Sequence, residues 1–114
     1  MERDDSVYLR HVLDASGRIL EYLERVDRVQ FEANHQLQDA VIRQLEIIGE
    51  AVKHVSRGMR SMHPEIRWQG VGGMRDKLIH GYFGVDLEMV WFTAQNDIPV
   101  LIGQIEGILK ELGK

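Results

Sequence analysis

Residues 34–55 read NHQLQDAVIRQLEIIGEAVKHV, and the spacing within them decides the class of fold. Leu37, Val41, Leu45, Ile48, Val52 and Val55 recur at intervals of three and four, the period that keeps one face of an α-helix apolar. The pattern predicts a helix over 34–60, opened at Asn34 and closed by Gly58, Ser61 and Pro64. Downstream, Pro64 suits the first turn of a further helix over 64–80. Gly70, Gly72 and Gly73 weaken that helix by about 1 kcal/mol each relative to alanine, which points to close packing as their purpose. Gly81 reads as its stop, and Gly84 permits a turn before Asp86.

Working outward, Leu9, Val12, Leu13, Ser16, Ile19, Leu20 and Leu23 repeat the helical period, with Asp4, Asp5 and Ser6 as candidate caps. A loop over 27–34 follows, with Phe31 tucked into the core. At the other end, Asp86 caps a helix through Val90, Trp91, Ile98, Leu101, Ile102, Ile105, Ile108 and Leu109. Pro99 inside that run should kink or split it. No stretch alternates with period two. The expected fold is all-α: one domain over 1–114, built as an antiparallel, up-and-down four-helix bundle with a kinked or split last helix.

The bulk composition narrows the chemistry. The chain has 114 residues, 44% hydrophobic and 28% charged, which suits one ordered core. It contains no cysteine, which removes disulfides, thiolate metal sites and a cysteine nucleophile. Met1-Glu2-Arg3-Asp4-Asp5 has no signal-peptide layout, and no apolar run approaches the roughly 18 residues of a membrane span. The expected setting is cytoplasmic, with no membrane partner. The net charge of −4 disfavours nucleic acid at first sight, but its distribution is uneven. Residues 53–80 carry Lys53, Arg57, Arg60, Arg67, Arg75 and Lys77 against Glu65 and Asp76, a net +4 that leaves −8 elsewhere. Two readings stay open for this stretch: a local basic field, or arginines that merely complement a helix C-terminus.

The densest chemistry is Arg75-Asp76-Lys77-Leu78-Ile79-His80-Gly81-Tyr82. RNA cleavage by attack of the 2′-hydroxyl needs proton transfer and a fixed cation for the phosphate. His80 supplies the first, since a helix end favours its imidazolium while Arg75 opposes it, keeping titration near neutrality. Arg75 supplies the second as a planar fork. Tyr82 can donate a hydrogen bond or stack on a base. On a regular helix Arg75 and His80 would point about 140° apart, so the stop at Gly81 has to turn them toward one cleft. A single histidine also leaves acid–base catalysis one group short. A two-fold dimer would bring two copies of His80 together.

Arg75-x4-His80-x-Tyr82 resembles the R-x4-H-x-Y signature of the HepT-like branch of the HEPN superfamily. Arg43-Gln44-Leu45-Glu46-Ile47-Ile48-Gly49-Glu50-Ala51 looks like that family's second-helix signature, and His63-Pro64-Glu65-Ile66 with Trp68 like its approach to the third helix. His80-Gly81-Tyr82-Phe83-Gly84-Val85-Asp86, Trp91 and Pro99 extend the likeness. Gly70-Val71-Gly72-Gly73 departs from it by its glycine content, which bears on the regularity of the third helix. The resemblance implies a homodimeric HEPN bundle with the motif at the dimer interface. It also implies a metal-independent endoribonuclease with no cofactor, the toxin of a type VII-like toxin–antitoxin pair. Its implied partners are an RNA substrate and an MntA-like nucleotidyltransferase antitoxin that adenylylates Tyr82. The alternative is a non-catalytic HEPN module that binds nucleotide or substrate beside such a nucleotidyltransferase.

The candidate site is therefore Arg75 and His80 as catalytic residues, with Tyr82, Asp76 and Lys77 for substrate binding or modification. Asp76 beside Arg75 reads either as an orienting group or as a surface ion pair. Glu46 with Glu50, and His54 with His63, fit no compact metal pattern and read as packing or solvated groups. Trp68 and Trp91 read as anchors of the core or of a dimer interface.

Overall fold

A computed structural model describes residues 4–78 and 84–114, the side chains of Arg75 and Lys77 excepted. The regular elements among these residues are helices: α1 (Asp5–Tyr22), α2 (Arg28–Ala33), α3 (His35–Lys53), α4 (Arg57–Met62), α5 (Trp68–Gly72), α6 (Met74–Leu78), α7 (Leu87–Phe92) and α8 (Ile98–Glu111). A π-helical turn, Thr93–Asp97, joins the last two. None of these helices is long and apolar enough to cross a membrane.

The expected all-α class holds, and several boundaries move for local reasons. Asp4 caps α1 by accepting the Ser6 N–H at 2.8 Å. The stretch expected as a loop over 27–34 holds the short helix α2, nucleated by a capping box. In it the Asp27 carboxylate accepts the Gln30 N–H at 2.8 Å, and the Gln30 side chain accepts the Asp27 N–H at 2.9 Å. Phe31 is fully buried as expected, and its ring meets Trp91 of α7 at 5.4 Å.

The helix expected over 34–60 stops at Lys53. Ser56 then caps a separate helix, its hydroxyl accepting the Met59 N–H at 3.2 Å. Asp5, at the start of α1, holds that break in place by accepting both the N–H and the hydroxyl of Ser56, at 2.8 and 2.6 Å.

Over 64–80 the helix begins at Trp68 instead of Pro64, because the carbonyl of His63 accepts the Ile66 N–H and the Trp68 indole N–H. Gly73 then separates α5 from α6. The close approach expected at Gly70, Gly72 and Gly73 is set instead by Gly49 of α3, where a Cβ would stand 3.4 Å from the carbonyl oxygens of Val71 and Gly72; a Cβ on Gly72 would meet only the Lys53 and Val52 side chains, at 3.6 and 3.9 Å. Pro99 splits the last helix as expected, falling in the first turn of α8 directly after the π turn.

α3 lies at the centre, packed against α1, α2, α5 and α6, while α8 packs on α1. Leu9, Val12 and Ile19 of α1, Val41, Leu45, Ile48 and Val52 of α3, and Leu101, Ile105 and Ile108 of α8 make up most of the core. α6 joins this core through two side chains one turn apart, Met74 at 8% and Leu78 at 2% exposure.

Candidate functional site

The segment that bears the motif is built from its base upward. Burial of Met74 and Leu78 against α3 sets the rotation of α6, and Asp76, roughly 200° around from Met74, is exposed accordingly. Asp76 makes no ion pair with any described residue; the choice between an orienting group and a surface ion pair turns on the Arg75 side chain, which lies outside the described residues. At the end of α6 the Leu78 carbonyl accepts the Asp86 N–H at 2.8 Å. That bond holds together the two ends of the segment carrying the motif. Gly84 takes the left-handed conformation, φ +82°, which a side chain would strain. Asp86 then caps α7 by accepting the Met89 N–H at 3.0 Å, as its position in the sequence predicts.

Of the candidate residues, Arg75, Asp76 and Lys77 fall on α6. The side chains of Arg75 and Lys77 lie outside the described residues, as do His80, Tyr82 and the expected helix stop at Gly81. Their convergence on one cleft therefore stays an expectation of the sequence.

The basic stretch divides. Arg60 turns back on α3 and donates to the carbonyl oxygens of Val52, Lys53 and Val55 at 3.2, 2.9 and 3.1 Å. The first two carbonyls end α3 and the third lies just beyond it; that of Val52 also accepts the Val55 N–H at 3.1 Å, and Arg60 adds a charged donor to each as a structural cap. Lys53, Arg57 and Arg67 are exposed and pair with no carboxylate among the described residues. The sequence tally of charge could not separate these two kinds of arginine.

The remaining candidates have structural employment. His54 stacks on Tyr8 at a centroid distance of 5.0 Å and faces Glu50 at 3.5 Å. His63 is buried between Glu65 at 3.3 Å and Glu111 at 3.6 Å. Among the described residues no three His, Cys, Asp or Glu side chains gather as a metal-holding group. Trp68 is a core anchor whose indole N–H reaches the His63 carbonyl at 2.9 Å. An open depression of about 670 Å³ at the joint of α1, α2 and α3, walled by Arg25, Gln30, Asn34 and His35, contains no motif residue.

Comparison with known proteins bears on the whole chain. The family described as Ribonuclease HepT-like matches residues 12–108, a span that includes every motif position. A "Probable ribonuclease HepT" of Thermococcus cleftensis is 43% identical over 110 residues, covering 96% of this chain and 100% of that protein. A protein of Methanocaldococcus jannaschii, named as a candidate RNase, is 41% identical over 111 residues, 97% of this chain and 96% of its own length. A second M. jannaschii protein matches at 42% over 100% of this chain but 51% of its own length, its name joining a gamma-glutamylcyclotransferase to a candidate RNase. No solved structure matches significantly.

Proposed function

Because the chain belongs to the HepT-like ribonuclease family, we propose that it is a metal-independent endoribonuclease, the toxin of a toxin–antitoxin pair acting in the cytoplasm as a homodimer of four-helix bundles. The observation that carries this reading is the family match, continuous from residue 12 to residue 108, around an intact Arg75, His80 and Tyr82.

The chemistry follows from those side chains. One imidazole of His80 takes the proton of the 2′-hydroxyl as that oxygen attacks the adjacent phosphorus. The bond to the 5′-oxygen breaks, and a second imidazole protonates the leaving oxygen. Arg75 holds the phosphate and offsets the charge that builds on it in the transition state. The products are a 2′,3′-cyclic phosphate and a 5′-hydroxyl. No metal ion enters this scheme.

Silencing fits the same cleft. A partner nucleotidyltransferase with an MntA-like fold joins the Tyr82 hydroxyl to the α-phosphorus of ATP, and pyrophosphate leaves. The added nucleotide carries negative charge and bulk into the space that RNA phosphate must occupy. Asp76 and Lys77, which follow Arg75 on the same short helix, tune the approach of RNA.

The test is cleavage of total and transfer RNA by freshly purified, unmodified protein in EDTA, beside His80→Ala. Cleavage by the wild type and none by the variant is the expected result. Absence of cleavage by both would overturn the nuclease reading. It would favour a non-catalytic module that binds nucleotide beside its nucleotidyltransferase, a reading the net charge of −4 supports.

A further inference from the structure

The helix pair that carries Arg75 rests on α3 at a point where α3 offers no side chain. Gly49 is buried there, and a Cβ on it would lie 3.4 Å from the carbonyl oxygens of both Val71 and Gly72. Helices ordinarily pack with side chains between them and axes about 8–10 Å apart. At Gly49 the last turn of α5 meets the backbone of α3 instead. Val52 and the stem of Lys53 flank that turn, their carbons 3.9 and 3.6 Å from where a Cβ on Gly72 would stand. Glycine inside a helix of 19 residues gives up helix propensity relative to alanine, so Gly49 serves space and not α3 itself.

The seat is coupled to the motif through hydrogen bonds. Gly73, the one residue between α5 and α6, is bonded on both sides. Its N–H donates to the Gln69 carbonyl at 3.0 Å, and its carbonyl accepts the Asp76 N–H at 3.1 Å. From Gly72 to Arg75 is three residues, a rise of about 4.5 Å along a helix. At its other end α5 is anchored by Trp68, whose indole N–H donates to the His63 carbonyl at 2.9 Å. A group added at Gly49 would push on two carbonyl oxygens of a turn held at Trp68 and tied to α6. What shifts Val71 and Gly72 shifts the backbone of Arg75.

We infer that Gly49 is a positioning residue for the motif: by admitting α5 to the backbone of α3, it sets where the backbone of Arg75 stands. The inference rests on the nuclease reading for the task of Arg75. Gly49 is buried and acts only through α5. A reacting group misplaced by about 1 Å costs about 100-fold in rate. Affinity for RNA is spread over several phosphates of the strand, so the loss falls on kcat and not on KM.

The experiment compares Gly49→Ala, Gly49→Ser and Gly49→Val with the parent, measuring kcat and KM for cleavage of transfer RNA in EDTA. The methyl of alanine fits at 3.4 Å, an ordinary contact, whereas atoms beyond Cβ need room that the carbonyls occupy. The expected kcat is within about 3-fold of the parent for alanine, about 10-fold lower for serine and about 100-fold lower for valine. KM should stay within about 3-fold throughout. Ile19→Ala is the control for lost stability: it opens a cavity on α1 and leaves the seat alone. Its kcat per folded molecule should equal the parent's, with folded fractions set by circular dichroism. If Gly49→Val is unfolded at the assay temperature, Gly49→Ser carries the comparison.

Hydrogen exchange at the Gly73 and Asp76 amides reports on the seat without RNA, and it should quicken in Gly49→Val and not in Gly49→Ala. Unchanged kcat in Gly49→Val, or an equal fall in Ile19→Ala, would overturn the positioning role and leave a nuclease. A parent that does not cleave, with exchange quickened in Gly49→Val, would remove the nuclease reading and keep the seat. No cleavage together with unchanged exchange would remove both.

Discussion

Arg57 and Arg60 sit three residues apart in one short helix and do different work. Arg60 closes the carbonyls of Val52 and Lys53 at the end of α3 and that of Val55 just beyond it, whereas Arg57 is exposed with no carboxylate partner among the described residues. Hydrogen bonds from a charged donor to carbonyls at a helix end carry about 1–2 kcal/mol at a half-buried site. Arg60→Gln should therefore lower the unfolding free energy by that amount, read as a lower urea midpoint, and Arg57→Gln should stay within about 0.5 kcal/mol of the wild type. Identical urea midpoints would show that Arg60 is not the cap its geometry describes. The sequence places both residues in one basic run and cannot rank them, because the carbonyls Arg60 serves become visible only once α3 is known to end at Lys53.

That ending illustrates what local pattern can and cannot carry. The apolar period of α3 runs on to Val55, which is buried, so periodicity alone extends the helix past its end. The break is imposed by Asp5, some fifty positions away, which binds Ser56 and fixes the start of α4. Other boundaries had a local signal. Asp27 and Gln30 have capping-box spacing, a local signal for α2 within the stretch expected as a loop. The caps at Asp4, Asn34 and Asp86 were legible because each side chain answers a donor two or three residues on.

Asp4 also gives its helix a pH dependence. Hydrogen bonds from Ser6 hold its carboxyl below the ordinary value of 3.8, with the Lys114 ammonium a lesser contributor. A pKa depressed on folding adds stability that is complete above the unfolded value and is lost as pH falls through the folded one. Asp4→Ala should therefore melt below the wild type at pH 7, and the gap should close by about pH 2. A gap of equal size at both pH values would mean that the ionised cap is not its source.

At the scale of the molecule, the proposed cleavage needs a proton acceptor and a proton donor, and the motif offers one histidine per chain. Of the other four histidines, His54 and His63 are engaged with Tyr8, Glu50, Glu65 and Glu111. A second copy of His80 from a second chain is the most economical source of the missing group. The surface has apolar area to spare for such an assembly: Met89 and Phe92, one turn apart on α7, are 46% and 54% exposed. Stoichiometry separates this arrangement from a self-sufficient chain. When wild type and His80→Ala are mixed in equal amounts and allowed to exchange subunits, about one quarter of random dimers hold two intact histidines. Activity should then fall to about one quarter of the unmixed wild type, following the square of the wild-type fraction. A fall to one half, linear in that fraction, would mean that each chain cleaves alone. In that case Tyr82 would be the motif's remaining candidate for the proton that His80 cannot supply, and its adenylylation would silence the enzyme by consuming a catalytic hydroxyl rather than by filling a shared cleft.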